Sequence, residues 1–247
     1  MPEAPPGMKQ RRTLCLVLVI NLMLGGCTAI NNPNGKGPSN EDMTFDQMVQ
    51  TDFNRTVTIA MRDNLDSLKV LTEKLYRRNP NQWRKTTAEN IEEAIKRSNT
   101  AIDSRTPPSA LRGLSDIQIL SVSLDPTYPG DRVAAFVYGL ADTIIRAHNG
   151  KTRFYVTDSI DAQHVFNAAR NVEIAAWLLA TRKDKHNQPL LLANEIGPDG
   201  TNLSFEREFG QIIGRLDLIA NLMDENLRRV GINYVQGLLF FNFLPVR

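Results

Sequence analysis

Between Thr44 and Arg78 the apolar positions Phe45, Met48, Val49, Phe53, Val57, Ile59, Ala60, Leu65, Leu68, Leu71, Leu75 and Tyr76 recur at steps of three and four. That spacing keeps one stripe of a helix facing a core, so it predicts a long amphipathic helix. Thr44 or Asp46 suits its start, Arg77 and Arg78 suit its negative end, and Asn79-Pro80 stops it. A second, more charged helix is expected over about 82–101, with Ile91, Ala94, Ile95 and Ile102 on one side.

The stretch 103–131 is rich in Pro and Gly around Ile117-Gln118-Ile119-Leu120-Ser121-Val122, and reads as a connector with one buried segment, strand or short helix. From Asp131 to His148 the run VAAFVYGLADTIIRA is apolar almost all round, which predicts a central helix stopped by Asn149-Gly150. A short extended piece is expected within 151–157, where Phe154 and Val156 alternate with Arg153 and Tyr155. Asp158 then caps a mostly buried helix to Thr181, a loop follows over 183–202, and Ser204 opens a last helix to Arg229 that Gly231 ends. No repeat of 34 or 40 residues is visible, which disfavours a helical-repeat array. The expected fold is all-α, a bundle of five or six helices with at most a minor extended segment.

The start of the chain has a different character. Lys9, Arg11 and Arg12 precede an apolar run from Leu14 to Leu24 broken only by Asn21, the layout of a secretory signal. A span of the membrane needs ~20 apolar residues, so this run is expected to insert and then be cut. Translation from Met1 or from Met8 leaves the reading intact. The Arg11-Arg12 pair sits in a poor twin-arginine context, so general secretory export is expected.

Leu24-Gly25-Gly26-Cys27 follows, two small residues and then a thiol that can be alkylated. In this segment the chain resembles the precursors of bacterial lipoproteins. The resemblance covers only the signal and its cysteine. It implies a diacylglyceryl thioether on Cys27, cleavage before it, and acylation of the new amino group by a fatty acid such as palmitate. Thr28, standing where an Asp would retain such a protein at the inner membrane, implies transfer to the outer membrane with the domain facing the periplasm.

Three domains follow: a signal peptide over 1–26, lipidated Cys27 with a Gly-, Pro- and Asn-rich tether to residue 42, and a helical periplasmic domain over 43–247.

Composition now adds two exclusions. The whole chain carries 29 Lys and Arg against 27 Asp and Glu, and removal of residues 1–26 leaves 26 of each. The expected mature chain is neutral, so no nucleic-acid partner is drawn by bulk charge. Of the two cysteines, Cys15 leaves with the signal and Cys27 carries lipid. Thiol catalysis, disulfides and Cys-ligated zinc are thereby excluded from the domain.

The candidate chemistry is sparse. Asp142 and Arg146, four apart, and His164, Asn167, Arg170, Asn171 and Glu173 interrupt the two most apolar helices. They read either as a structural network in which Asp142 neutralises Arg146 and Glu173 neutralises Arg170, or as a pocket binding a lipid or small anion through the two arginines with His164 as acid or base. The structural reading is the simpler one. Asp158, Asp161 and His164 fall on successive turns, but helix capping accounts for the two acids, and no metal or other cofactor is expected. Glu206 and Glu208 sit where a helix start rewards acids rather than where glycoside chemistry needs them. The nucleophile elbow G-x-S-x-G and the phosphate loops G-x-x-x-x-G-K-[ST] and G-x-G-x-x-G are absent from the sequence.

The last stretch, 231–247, places four aromatics in its final fourteen residues and is expected either to complete the core or to offer an apolar patch. The functional expectation is a non-enzymatic envelope lipoprotein that binds an envelope protein. A ligand-binding module and an envelope hydrolase are the alternatives.

Overall fold

The computed structural model describes residues 52–155, 157–197 and 200–223. The expected signal, Cys27, the tether, the opening turns of the first helix, Val156, the end of the last helix and the apolar tail lie outside the described residues. Among those described, the chain forms α1 (Asp52–Arg78), α2 (Pro80–Trp83), α3 (Ile91–Ser104), a 3₁₀ turn (Ser109–Leu111), α4 (Ile117–Ser123), α5 (Arg132–Ala147), α6 (Ala162–Thr181), β1 (Glu195–Gly197), β2 (Gly200–Asn202) and α7 (Ser204–Met223). The architecture is the expected all-α bundle with a minor extended segment. No helix among the described residues is long and apolar enough to cross a membrane.

α1 buries Val57, Met61, Leu68, Leu71, Leu75 and Tyr76 on one stripe, as its spacing predicts, and ends with Arg77 and Arg78 before Asn79. The Asn79 amide then ties this end to a distant loop, donating to the Leu192 carbonyl at 2.9 Å and accepting from the Leu192 N–H at 2.7 Å. α7 runs antiparallel to α1: Lys74 donates to the Ser204 carbonyl at 2.9 Å, and Arg215 reaches Ser67 Oγ at 3.1 Å.

α5 is the axis of the bundle, packing on α1, α2, α3, α4 and α6. Burial on all sides explains why 13 of its 16 residues are buried and why its sequence lacks a polar face. Asp131 caps it through the N–H groups of Val133 and Ala134 at 3.0 and 3.1 Å. Its crossing with α4 is close at Gly139, where an added Cβ would stand 3.0 Å from Ile119 and Leu120 side-chain atoms. Phe136 meets Phe209 of α7 edge to face, with ring centres 6.4 Å apart.

Three local expectations are corrected and one open alternative is resolved. The helix expected over 82–101 is two pieces, because Asn90 accepts from the Glu93 N–H at 2.8 Å while Glu93 accepts from the Glu89 N–H at 2.6 Å, two side-chain caps that start α3 at Ile91. The sixth helix starts after Asp161, whose carboxylate takes the N–H groups of Gln163 and His164 at 2.8 and 3.2 Å. Asp158 instead closes the preceding loop on the Tyr155 N–H at 2.9 Å. The ambiguous buried segment is helical, α4. The extended segment is not at 151–155, where Phe154 is a single buried anchor, but in the 183–202 loop, where Glu195, Ile196 and Gly197 pair antiparallel with Asn202, Thr201 and Gly200.

Candidate functional site

The expected site residues fall into two charge clusters, on different neighbours. In the first, Asp142 of α5 accepts from Arg146 Nε at 2.7 Å and, with the same oxygen, from the backbone N–H of Asp116 at 2.7 Å. Asp116 opens α4 with φ 41°, a conformation rare outside glycine, so this bond secures a strained entrance. Asp142 and Arg146 therefore serve the α4–α5 corner.

In the second cluster Arg170 of α6 donates to Asp217 of α7 at 2.6 Å and approaches Glu173 at 3.4 Å, with its guanidinium 5.0 Å from the centre of the Phe166 ring. Burial pushes the Asp217 carboxyl above the usual carboxylate range, and the Arg170 charge pulls it back. Arg170 thus fastens α6 to α7, and the contacts put Arg146 and Arg170 in separate clusters rather than around one volume. The two pairings that the sequence suggests, Asp142 with Arg146 and Arg170 with Glu173, are both present.

Asn167 and Asn171 are buried, and Asn167 accepts from Gln163 Nε2 at 2.7 Å. His164 is half-buried in the first turn of α6, its N–H on the Asp161 cap. The Asp158 carboxylate is engaged by Lys151 and by the Tyr155 N–H, and the Asp161 carboxylate by the N–H groups of Gln163 and His164. Among the described residues, no three His, Cys, Asp or Glu side chains form a group that could hold a metal ion. Glu206 accepts from Asn194 Nδ2 at 2.7 Å.

The most concentrated buried polar chemistry lies elsewhere, where α1, α2, α3 and α5 meet. Tyr76 donates to Asp131 at 2.5 Å and shares a hydrogen bond with Ser98 at 2.9 Å. Burial, then the Asp131 charge, pushes the Tyr76 phenol far up, and burial also raises the Asp131 carboxyl. The next residue, Arg132, is 4% exposed and donates to the carbonyls of Ser123, of Asp125 at 2.7 Å and of Tyr128 at 3.4 Å. Its backbone N–H is taken by Gln82 at 3.0 Å, and Lys85 closes on the Gly130 carbonyl at 3.1 Å. The C-terminal end of α4, rich in orphan carbonyls, is therefore capped by a buried guanidinium from α5.

Residue type gives little sign of this junction, because Tyr76 counts as apolar in a helical stripe and the acceptors of Arg132 are backbone carbonyls. One signal was available. Arg132 stands in the first turn of α5, where the helix dipole opposes a cation, so a strong outside acceptor had to exist.

A second missed group is His148, just past α5. It is 2% exposed, its Nδ1–H donates to the Ile144 carbonyl at 2.8 Å, and its ring lies 5.7 Å from that of Phe154. Burial pushes its pKa down from 6.5 to about 4. A neutral imidazole facing a backbone carbonyl and an aromatic ring is a core side chain.

No family model matches the chain, and no curated protein or solved structure does either.

Proposed function

We propose that this chain is a lipoprotein of the bacterial envelope, anchored in the outer membrane by acyl chains on Cys27, with its helical domain serving in the periplasm as a non-catalytic interaction module. The observation that carries the reading is the order of parts at the start of the chain: basic residues, an eleven-residue apolar run, then Leu24-Gly25-Gly26-Cys27. Acyl chains contribute ~0.8 kcal/mol per buried methylene, and two or more give stable anchoring. The partner class is an envelope protein.

Two features of the domain support a module without chemistry of its own. Arg146 is held by Asp142 of its own helix and Arg170 by Asp217 of α7, while in the buried polar junction Tyr76 closes on the Asp131 carboxylate and Arg132 on backbone carbonyls. A lipid- or anion-binding cavity would need Arg146 or Arg170 to give up its present carboxylate, and a hydrolase would need His164 beside a nucleophile. Those alternatives have less support.

Replacement of Cys27 by Ser tests the reading. The wild type should take up radiolabelled palmitate and stay in the membrane fraction after a carbonate wash. Cys27→Ser should lose both properties and accumulate at its precursor size. Unlabelled wild type, or a variant that matures and fractionates as before, overturns the proposal.

A further inference from the structure

We infer that the outer face of α7 is the seat of the chain's own last segment, residues 232–246. This inference is independent of the lipid anchor. The inner face of α7 is spent on the core through Phe205, Phe209, Ile212, Leu216 and Ile219. Leu218 and Leu222, one turn apart on the opposite side, are 54% and 58% exposed. Gly214 continues their line, with open space where a side chain would stand. At the neighbouring edge of α1, Ile59 is 40% exposed and lies one turn before Asp63, whose carbonyl receives Arg215 of α7 at 3.3 Å. Three large apolar side chains thus flank the α1–α7 seam, where a bundle normally places polar ones.

The length and composition of the chain beyond Met223 name the occupant. The described residues stop one position after Leu222, at the end of this apolar line, and 24 residues remain. Asp224 to Arg229 are mostly polar and suit a continuation of α7, and Gly231 suits a reversal. From Gly231 to Val246 there is no charged side chain, while Ile232, Val235, Leu239 and Phe243 recur at three and four. Even at the 1.5 Å per residue of a helix, the shortest regular rise, fifteen residues span about 22 Å, enough to pass Leu222 and Leu218 and reach Gly214. A second copy is the weaker occupant. Two leucines and an isoleucine fall well short of the ~800 Å² per partner of a stable interface, whereas a tethered segment has an effective concentration in the millimolar range.

The test reads the accessibility of the face. In the full chain, Leu218→Cys should react with a maleimide slowly, as read on the peptide that contains it. Ending the chain after Gly231 should raise that rate by about tenfold, the change expected when a covering element is removed. Equal, fast labelling in both chains overturns the inference. Should the shortened chain fail to accumulate, the full chain carrying Leu218→Cys with Cys at Val235, Leu239 or Phe243 in turn decides. A disulfide within one chain at one of these positions is expected. A disulfide only between chains assigns the face to a second copy, and no disulfide at any of them leaves the face uncovered by this segment; either result overturns the inference.

Discussion

Arg132 and Arg170 bring the same guanidinium into one bundle and are held in opposite ways. Arg132 is buried and neutralised by the carbonyl end of α4, with its acceptors on Ser123, Asp125 and Tyr128. Arg170 sits nearer the edge and is neutralised by the carboxylates of Asp217 and Glu173. His148 belongs with Arg132, since its ring N–H ends on the Ile144 carbonyl, and Arg146 belongs with Arg170, since it ends on Asp142. Of these four side chains, the interior pair is satisfied by backbone carbonyls and the edge pair by carboxylates. Backbone acceptors cannot titrate and are not screened by salt, so the interior set should dominate stability and the edge set should respond to ionic strength.

The sharpest way to break this contrast is Arg132→Met. It removes the donor to three carbonyls and should cost about 4 kcal/mol in urea unfolding, because buried acceptors are left unmade. A loss below about 1 kcal/mol would place Arg132 with the edge set.

The acid limb comes next. The native pKa of His148, about 4, lies below its ordinary 6.5, so native His148 binds fewer protons than the unfolded chain between those values. Its contribution is complete above pH 6.5 and is lost as pH falls through 4. Wild type should lose about 3 kcal/mol more than His148→Gln between pH 7 and pH 4. Parallel pH curves for the two chains would show that His148 is not held neutral.

The edge pairs give the smallest effects. Arg170→Met leaves Asp217 half-buried without its cation and should cost about 1 kcal/mol. Arg146→Met, whose side chain is 35% exposed, should cost less than about 0.5 kcal/mol. Both losses should shrink in 0.5 M salt, where the Debye length falls to roughly 4 Å, while the Arg132→Met loss should not. Salt-independent losses at Arg170 would merge the two sets.

Residue spacing revealed the helices that follow a single rule along their length. α5 is buried on every side and its sequence is apolar on every side, and α1 buries one stripe and shows one stripe. Elements that depend on a local exchange of hydrogen bonds were less legible. The break before α3 turns on two side-chain caps, Asn90 on the Glu93 N–H and Glu93 on the Glu89 N–H, and β1 and β2 are three residues each, too short to show alternation. Of the suspicious charges, the pairs within one helix were readable from a step of three or four. The principal partner of Arg170 lies 47 residues away on α7, and the acceptors of Arg132 are carbonyls, which leave no mark on residue type. Buried Asn167 and Asn171 were legible as polar interruptions of an apolar helix, while His148 was hidden because a helix end is an ordinary place for a histidine.

The central claim is that a fatty-acylated thiol fixes this helical domain to the envelope. Mass spectrometry of the tryptic peptide Cys27–Lys36 from cell-purified protein tests it most directly. The account predicts a new amino terminus at Cys27, its mass raised by a diacylglyceryl group and an amide-linked acyl chain. A peptide that continues upstream of Cys27, or one that begins there with a free thiol, would contradict it.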